Sequence, residues 1–75
     1  MIGTIGVVTV AIGGGDQLGE VELPFAGGTE RFLARGREPI GVDQSVLVVA
    51  ESPGRIVEVE RWIVPPTVGR SVDLR

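Results

Sequence analysis

Glycine and proline cut this chain into short apolar runs, none of which is long enough to form a stable helix. Ile2 to Ile12 ends at Gly13-Gly14-Gly15, Gly19 to Leu23 at Pro24, and Thr29 to Arg35 at Gly36. Val46 to Glu51 ends at Pro53-Gly54, and Arg55 to Trp62 runs out before Pro65-Pro66. The apolar residues within the runs are mostly valine and isoleucine, whose branched β-carbons lose rotamer freedom in a helix and pack well on a pleated surface. Five such segments with no place for a substantial helix predict an all-β domain, either a sandwich or a small closed barrel. Closure is the better solution, because it removes edge strands that so apolar a chain could not leave open.

Alternation assigns the faces. In Gly19 to Leu23, Val21 and Leu23 point inward while Glu20 and Glu22 point outward. In Thr29 to Arg35, Phe32 and Ala34 share one face, and Arg31, Leu33 and Arg35 share the other. In the last run Val57 and Val59 face in, with Glu58 and Glu60 facing out. The first run is read as one long strand from Ile2 to Ile12, bent at Gly3 and Gly6 so that it can pair at both ends. Pro24 to Gly28 is read as a connection. Gly36 to Ser45 is read as a loop that drops Ile40 or Val42 into one end of the core. Ser52-Pro53-Gly54 carries a type II turn signature within a connection longer than two residues. The barrel is expected to span residues 1–64, with 65–75 an extended or disordered tail.

Several classes of chemistry are absent at the level of residue types. The 75 residues include no cysteine and no histidine, which removes disulfides and the usual zinc, haem and iron–sulfur ligands, so no metal or cofactor is expected. A domain this small then stands on packing alone, with a thin stability margin. All seven cationic residues are arginine and the net charge is −3, so an anionic polymer or lipid surface is repelled unless the arginines gather on one face. The longest unbroken apolar run, Val46 to Ala50, falls far short of a membrane span, and the first cation, Arg31, comes too late for a secretory leader. Gly14 and Gly19 have the outer spacing of a phosphate-binding loop, but Glu20 and Val21 stand where Lys and Ser or Thr are required, and a strand follows. Glu58 and Glu60 lie about 7 Å apart by the strand rise, on a wet face with nothing to separate their pKa values. No Ser or Thr has a conventional base to activate it. No catalytic residue is assigned.

What remains is surface. Arg31 and Arg35, with Arg37 beyond them, could form a nucleic-acid platform with Phe25 or Phe32 as a stacking face. Pairing of Arg31 and Arg35 across the ladder with Glu20 and Glu22, which leaves a neutral face, is the preferred reading. Phe25, between Pro24 and Ala26, is expected to be exposed and available for docking. Trp62, followed by Ile63 and Val64, is either a core plug or an exposed anchor, with the core the preferred position. Phe25, Arg31, Leu33, Arg35 and Trp62 are the candidate partner contacts.

The order Ile2-Gly3-x-x-Gly6-Val7-Val8-Thr9, Gly19-Glu-Val, Phe32-x-Ala34-Arg35, Pro39-Ile40, Val46-Leu-Val-Val49, Ile56-Val-Glu-Val59 resembles the C-terminal domain of NfeD-type proteins over Ile2 to about Trp62. That family's domain is a five-stranded OB-fold barrel short of the usual helix, which the resemblance implies here. Asp43 stands where the family usually has glycine, and aspartate tolerates the left-handed backbone such a position asks for. The resemblance further implies a non-enzymatic interaction module for an SPFH scaffold of the stomatin or flotillin type, modulating membrane microdomains. It would be cytoplasmic, and peripheral at the inner face of the membrane only through that partner. In the family the domain follows membrane-spanning helices and, in long forms, a protease-like domain with a Ser-Lys pair; this chain carries neither. The rival reading is a single-stranded nucleic-acid-binding OB fold.

Overall fold

The computed structural model describes residues 1–63. It contains five strands: β1 (Ile5–Val10), β2 (Gly19–Phe25), β3 (Gly28–Arg35), β4 (Ser45–Ser52) and β5 (Ile56–Arg61). They form a closed barrel in the order β1-β2-β3-β5-β4, and β4 returns to β1. Every pair is antiparallel except β3 with β5, whose parallel register runs from Leu33↔Ile56 to Arg35↔Glu58. The interior is filled by the residues that alternation turned inward: Val21, Leu23, Phe32, Ala34, Val57 and Val59, joined by Val8, Val46 and Val48. A barrel this narrow leaves room for its own side chains and nothing else.

The first segment holds the barrel at both ends, as expected, but only Ile5–Val10 is regular strand. Gly3 takes a left-handed φ of +92°, so the chain turns there rather than running straight from Ile2. It rejoins the sheet through Gly3 N–H to Val48 O at 2.8 Å and Val48 N–H to Thr4 O at 2.9 Å. At the other end the register against β2 shifts between Val8 and Val10. Ile12 then pairs with Ile40 through two hydrogen bonds of 2.9 Å. Gly6 faces the barrel axis, where a β-carbon would overlap the backbone oxygen of Glu22 and a methyl of Leu23.

Residues 24–28, read as a connection, are mostly strand. The β2–β3 ladder continues through Pro24↔Thr29 to Phe25↔Gly28, and the turn is only Ala26-Gly27, with φ values of +51° and +85°. Positive φ at both central residues is the type I′ geometry that matches strand twist. Pro24 is accommodated because Phe25 and Gly28 form the hydrogen-bonded pair that closes a two-residue turn. Position 24 then needs no N–H toward β3. Alanine is a poor residue for a left-handed position. Ala26→Asn, which creates the preferred Asn-Gly pair, is expected to raise stability by about 0.5–1 kcal/mol, read as a higher melting temperature with unchanged dispersion of the amide spectrum.

Between β3 and β4 no helix intervenes, and the choice left open by the sequence is resolved. Ile40 is 3 % exposed and belongs to the core, while Val42 is 52 % exposed. Asp43 adopts a φ of +73°, the left-handed conformation that a glycine would supply more cheaply, and its N–H reaches Val8 O at 2.9 Å. The β4–β5 connection spans the three residues between the paired Ser52 and Ile56. Gly54 at +84° fits a type II turn, and Arg55 follows at +61°. The tail expected over 65–75 lies outside the described residues.

Candidate interaction surface

The five candidate contacts do not form one patch. Arg31, Leu33 and Arg35 occupy the outer face of β3. Phe25 lies on the opposite face of the β2–β3 hairpin, at its tip, 47 % exposed and edge-on to the ring of Phe32 at a centroid distance of 5.9 Å. Trp62 sits past the end of β5, its N–H on Ser45 O at 2.9 Å, at the other end of the barrel. The preference for the core at Trp62 is corrected, since its side chain is 37 % exposed. β5 and its alternation end at Arg61, so the strand pattern does not turn Trp62 into the core. As Trp62 is the only tryptophan, acrylamide is expected to quench the protein's fluorescence well above the level of a buried indole; quenching as weak as that of a core tryptophan would refute this placement.

Cross-strand pairing on β2 and β3 is real but partial. Arg31 lies 3.7 Å from Glu20, the diagonal neighbour of its direct partner Glu22. The hydroxyl of Thr9 donates to Glu20 at 2.8 Å, and that of Thr29 donates to Glu22 at 3.0 Å. Both carboxylates are therefore engaged, Glu20 in a half-buried hydrogen bond and Glu22 in an exposed one, and the Arg31–Glu20 ion pair carries small energetic weight. Arg35 does not join them. β2 ends at Gly19, opposite Ala34, so the cross-strand neighbour of Arg35 is Glu58 on β5. Arg35 Nε is buried without a hydrogen-bond partner, and among the described residues the side chain forms no ion pair. It borders a shallow cleft together with Asp16, Arg37, Glu58 and Glu60, a mixture of signs that makes a poor anion site. Glu58 itself accepts a 3.3 Å hydrogen bond from Ser52.

A feature the sequence reading passed over is the apolar exterior of β1 and β4. Ile5 faces Leu47 directly across the ladder, and Ile5 and Val7 are each more than two-fifths exposed. The signal was present: Val7-Val8 and Val46 to Val49 do not alternate, and a strand apolar on both faces implies that both faces meet something. At the opposite rim the hairpin and the β4–β5 turn frame a groove of about 460 Å³, bordered by Phe25, Phe32, Glu30, Arg55 and Ile56. The Arg55 guanidinium stands 4.7 Å above the Phe32 ring and 3.0 Å from Glu30. Among the described residues no cluster of acidic side chains could hold a metal ion, and no helix is long and apolar enough to cross a membrane.

Strand order β1-β2-β3-β5-β4, closure through one parallel pair and a plain loop between β3 and β4 define an OB-type barrel without its helix. The family model of the NfeD C-terminal domain matches residues 5–60, and the chain belongs to that family. The fold is similar to the solution structure of the soluble domain of the NfeD protein YuaF from Bacillus subtilis. The two are 30% identical with a TM-score of 0.68, over 79% of this chain and 70% of that one. No curated protein matches.

Proposed function

We propose that this domain is a non-enzymatic interaction module that associates with an SPFH scaffold protein of the stomatin or flotillin type and so acts on membrane microdomains. The observation that carries the reading is the division between inside and outside. The core is closed and filled by its own valines and isoleucines, while large apolar side chains, Ile5, Val7, Phe25 and Leu33 among them, are left on the exterior. An exterior of that kind is suited to meeting another protein. Membership of the NfeD family supplies the partner class by analogy, since a fold alone does not specify one.

Co-expression with a stomatin- or flotillin-like protein and purification in mild detergent tests the proposal. Stoichiometric recovery of the scaffold supports it, and its absence from the purified fraction at every detergent concentration would sink it. The outer face of β2 and β3 offers little to a nucleic acid, because a polyanion needs several cations along its path and here Arg31 stands between Glu20 and Glu22. Titration with oligothymidine at low salt is accordingly expected to give a flat anisotropy signal, where an OB-type nucleic-acid binder would saturate and then release the strand as salt is raised.

A further inference from the structure

β3 has a strand on both sides only near its C-terminal end. β2 covers it from Gly28 to Ala34, whereas β5 joins it at Leu33 and beyond, so Gly28 to Phe32 has a bare edge. The two-residue turn decides which groups face that edge. Phe25 and Gly28 exchange both of their hydrogen bonds, and strict alternation then turns Glu30 and Phe32 toward β2 and the N–H and C=O of Thr29 and Arg31 outward. Thr29 and Arg31 are exposed, and neither makes a backbone hydrogen bond outside the ladder. The other edge of the same hairpin is guarded. β1 pairs with β2 no further than Glu22, and the next outward-facing residue there is Pro24, which has no N–H. On β3 neither proline nor bulge interrupts the register, although natural edges are usually blunted by one or the other.

We infer that the Thr29–Arg31 edge of β3 receives an extended segment of the partner protein as an added strand, a segment in which acidic and apolar residues alternate. The inference rests on the interaction-module reading and says where and how the partner docks. Main-chain bonds to the two N–H and two C=O groups supply the attachment, and alternate side chains supply the choice of partner. On the outer side an incoming side chain lies beside Arg31, whose side chain is 64 % exposed and whose contact with Glu20 is a long 3.7 Å. A carboxylate fits there. On the inner side the next residue enters the groove beside Phe25, the exposed ring there, since Phe32 is buried and the Arg55 guanidinium stands 4.7 Å over its ring, and an aliphatic side chain fits against Phe25. A second copy of this chain is a poorer occupant, because pairing β3 with itself would bring Gly28 and Glu30 to the inner side and leave the aromatic groove unfilled.

The test uses the full chain and two acetylated, amidated peptides, Thr-Glu-Val-Glu-Val-Thr and Thr-Lys-Val-Lys-Val-Thr, followed by amide chemical shifts. The Glu peptide is expected to move Thr29 and Arg31 most and to slow exchange of their amide protons. Thr29→Pro removes one edge donor and weakens binding about tenfold, the upper end of what one hydrogen bond contributes. Thr29→Val keeps the N–H and binds as the unchanged protein does. Arg31→Glu reverses the preference between the peptides and does not depend on the proline variant folding. The inference is overturned by shifts centred on Ile5, Val7 and Leu47, by equal binding of both peptides, by absence of binding, or by self-association of the protein through the Thr29–Arg31 edge. In co-purification, a scaffold that still follows Thr29→Pro and Arg31→Glu overturns the edge inference alone. A scaffold that fails to follow the unchanged protein overturns the interaction reading itself.

Discussion

Gly6→Val is expected to leave the barrel unfolded at room temperature, and Gly6→Ala to cost about 2–4 kcal/mol. Gly6 has an ordinary negative-side backbone, so the requirement is one of space. Any β-carbon there meets the carbonyl oxygen of Glu22 and the Leu23 side chain. The carbonyl belongs to the β1–β2 ladder, and Leu23 is wholly buried among the core valines, so neither can retreat without dragging β2 away from β1. Overpacking of a rigid core usually costs about 1–3 kcal/mol, and more where backbone has to move. A domain of this size has on the order of 5 kcal/mol in total, which the branched side chain of valine is expected to exceed. Urea denaturation followed by circular dichroism checks the series, with Gly28→Ala as the control. Nothing lies within 4 Å of a β-carbon at Gly28, so that variant stays within about 0.5 kcal/mol of the unchanged protein. Equal midpoints for Gly6→Ala and Gly28→Ala would show that β1 and β2 are not in the close approach described.

The alternating segments were legible because each has one wet face. Val21, Leu23, Phe32, Ala34, Val57 and Val59 lie where a period of two places them. Boundaries were legible only where the breaking residue breaks for a reason the neighbours cannot cancel. Pro24 reads as a stop, yet it sits past the end of the β1 pairing, where its missing N–H has nothing to bond, and the strand runs on to Phe25. Ala26 and Arg55 are invisible as left-handed positions, since propensity points to glycine or asparagine and tertiary pairing overrides it in both turns. The sequence marks Gly6 only as a place to bend, whereas its role is the space it leaves.

The surface was less legible than the core, because opposite charges on neighbouring strands do not say which diagonal they take. Arg31 reaches Glu20, two residues along from the partner that register alone assigns. Arg35 looks equivalent to Arg31 by alternation, but β2 has ended by then and the parallel strand β5 replaces it, a long-range pairing that no local pattern encodes. The bare edge of β3 has the same origin. It exists because β5 begins opposite Leu33, and the sequence of β3 carries no mark of where a distant strand will start.

Ile40→Ala is expected to destabilise the barrel by about 2–4 kcal/mol, and Val42→Ala to stay within about 0.5 kcal/mol of the unchanged protein. Both residues lie in the long loop, both are β-branched, and local sequence does not separate them. Their surroundings do. Ile40 is held by paired hydrogen bonds to Ile12 and buried with it, so the two isoleucines close one end of the interior where no strand reaches. Truncation there loses the transfer energy of the removed methyl groups and leaves a void that the fixed backbone cannot close. Val42 points to solvent from a turn set by Asp43 N–H on Val8 O and by Gly41 N–H on the Gln44 side chain at 3.1 Å, and its side chain contributes little to either bond. Chemical denaturation at a constant slope separates the two substitutions, and equal midpoints would mean that the loop, and with it the Ile12–Ile40 bridge, does not close the barrel.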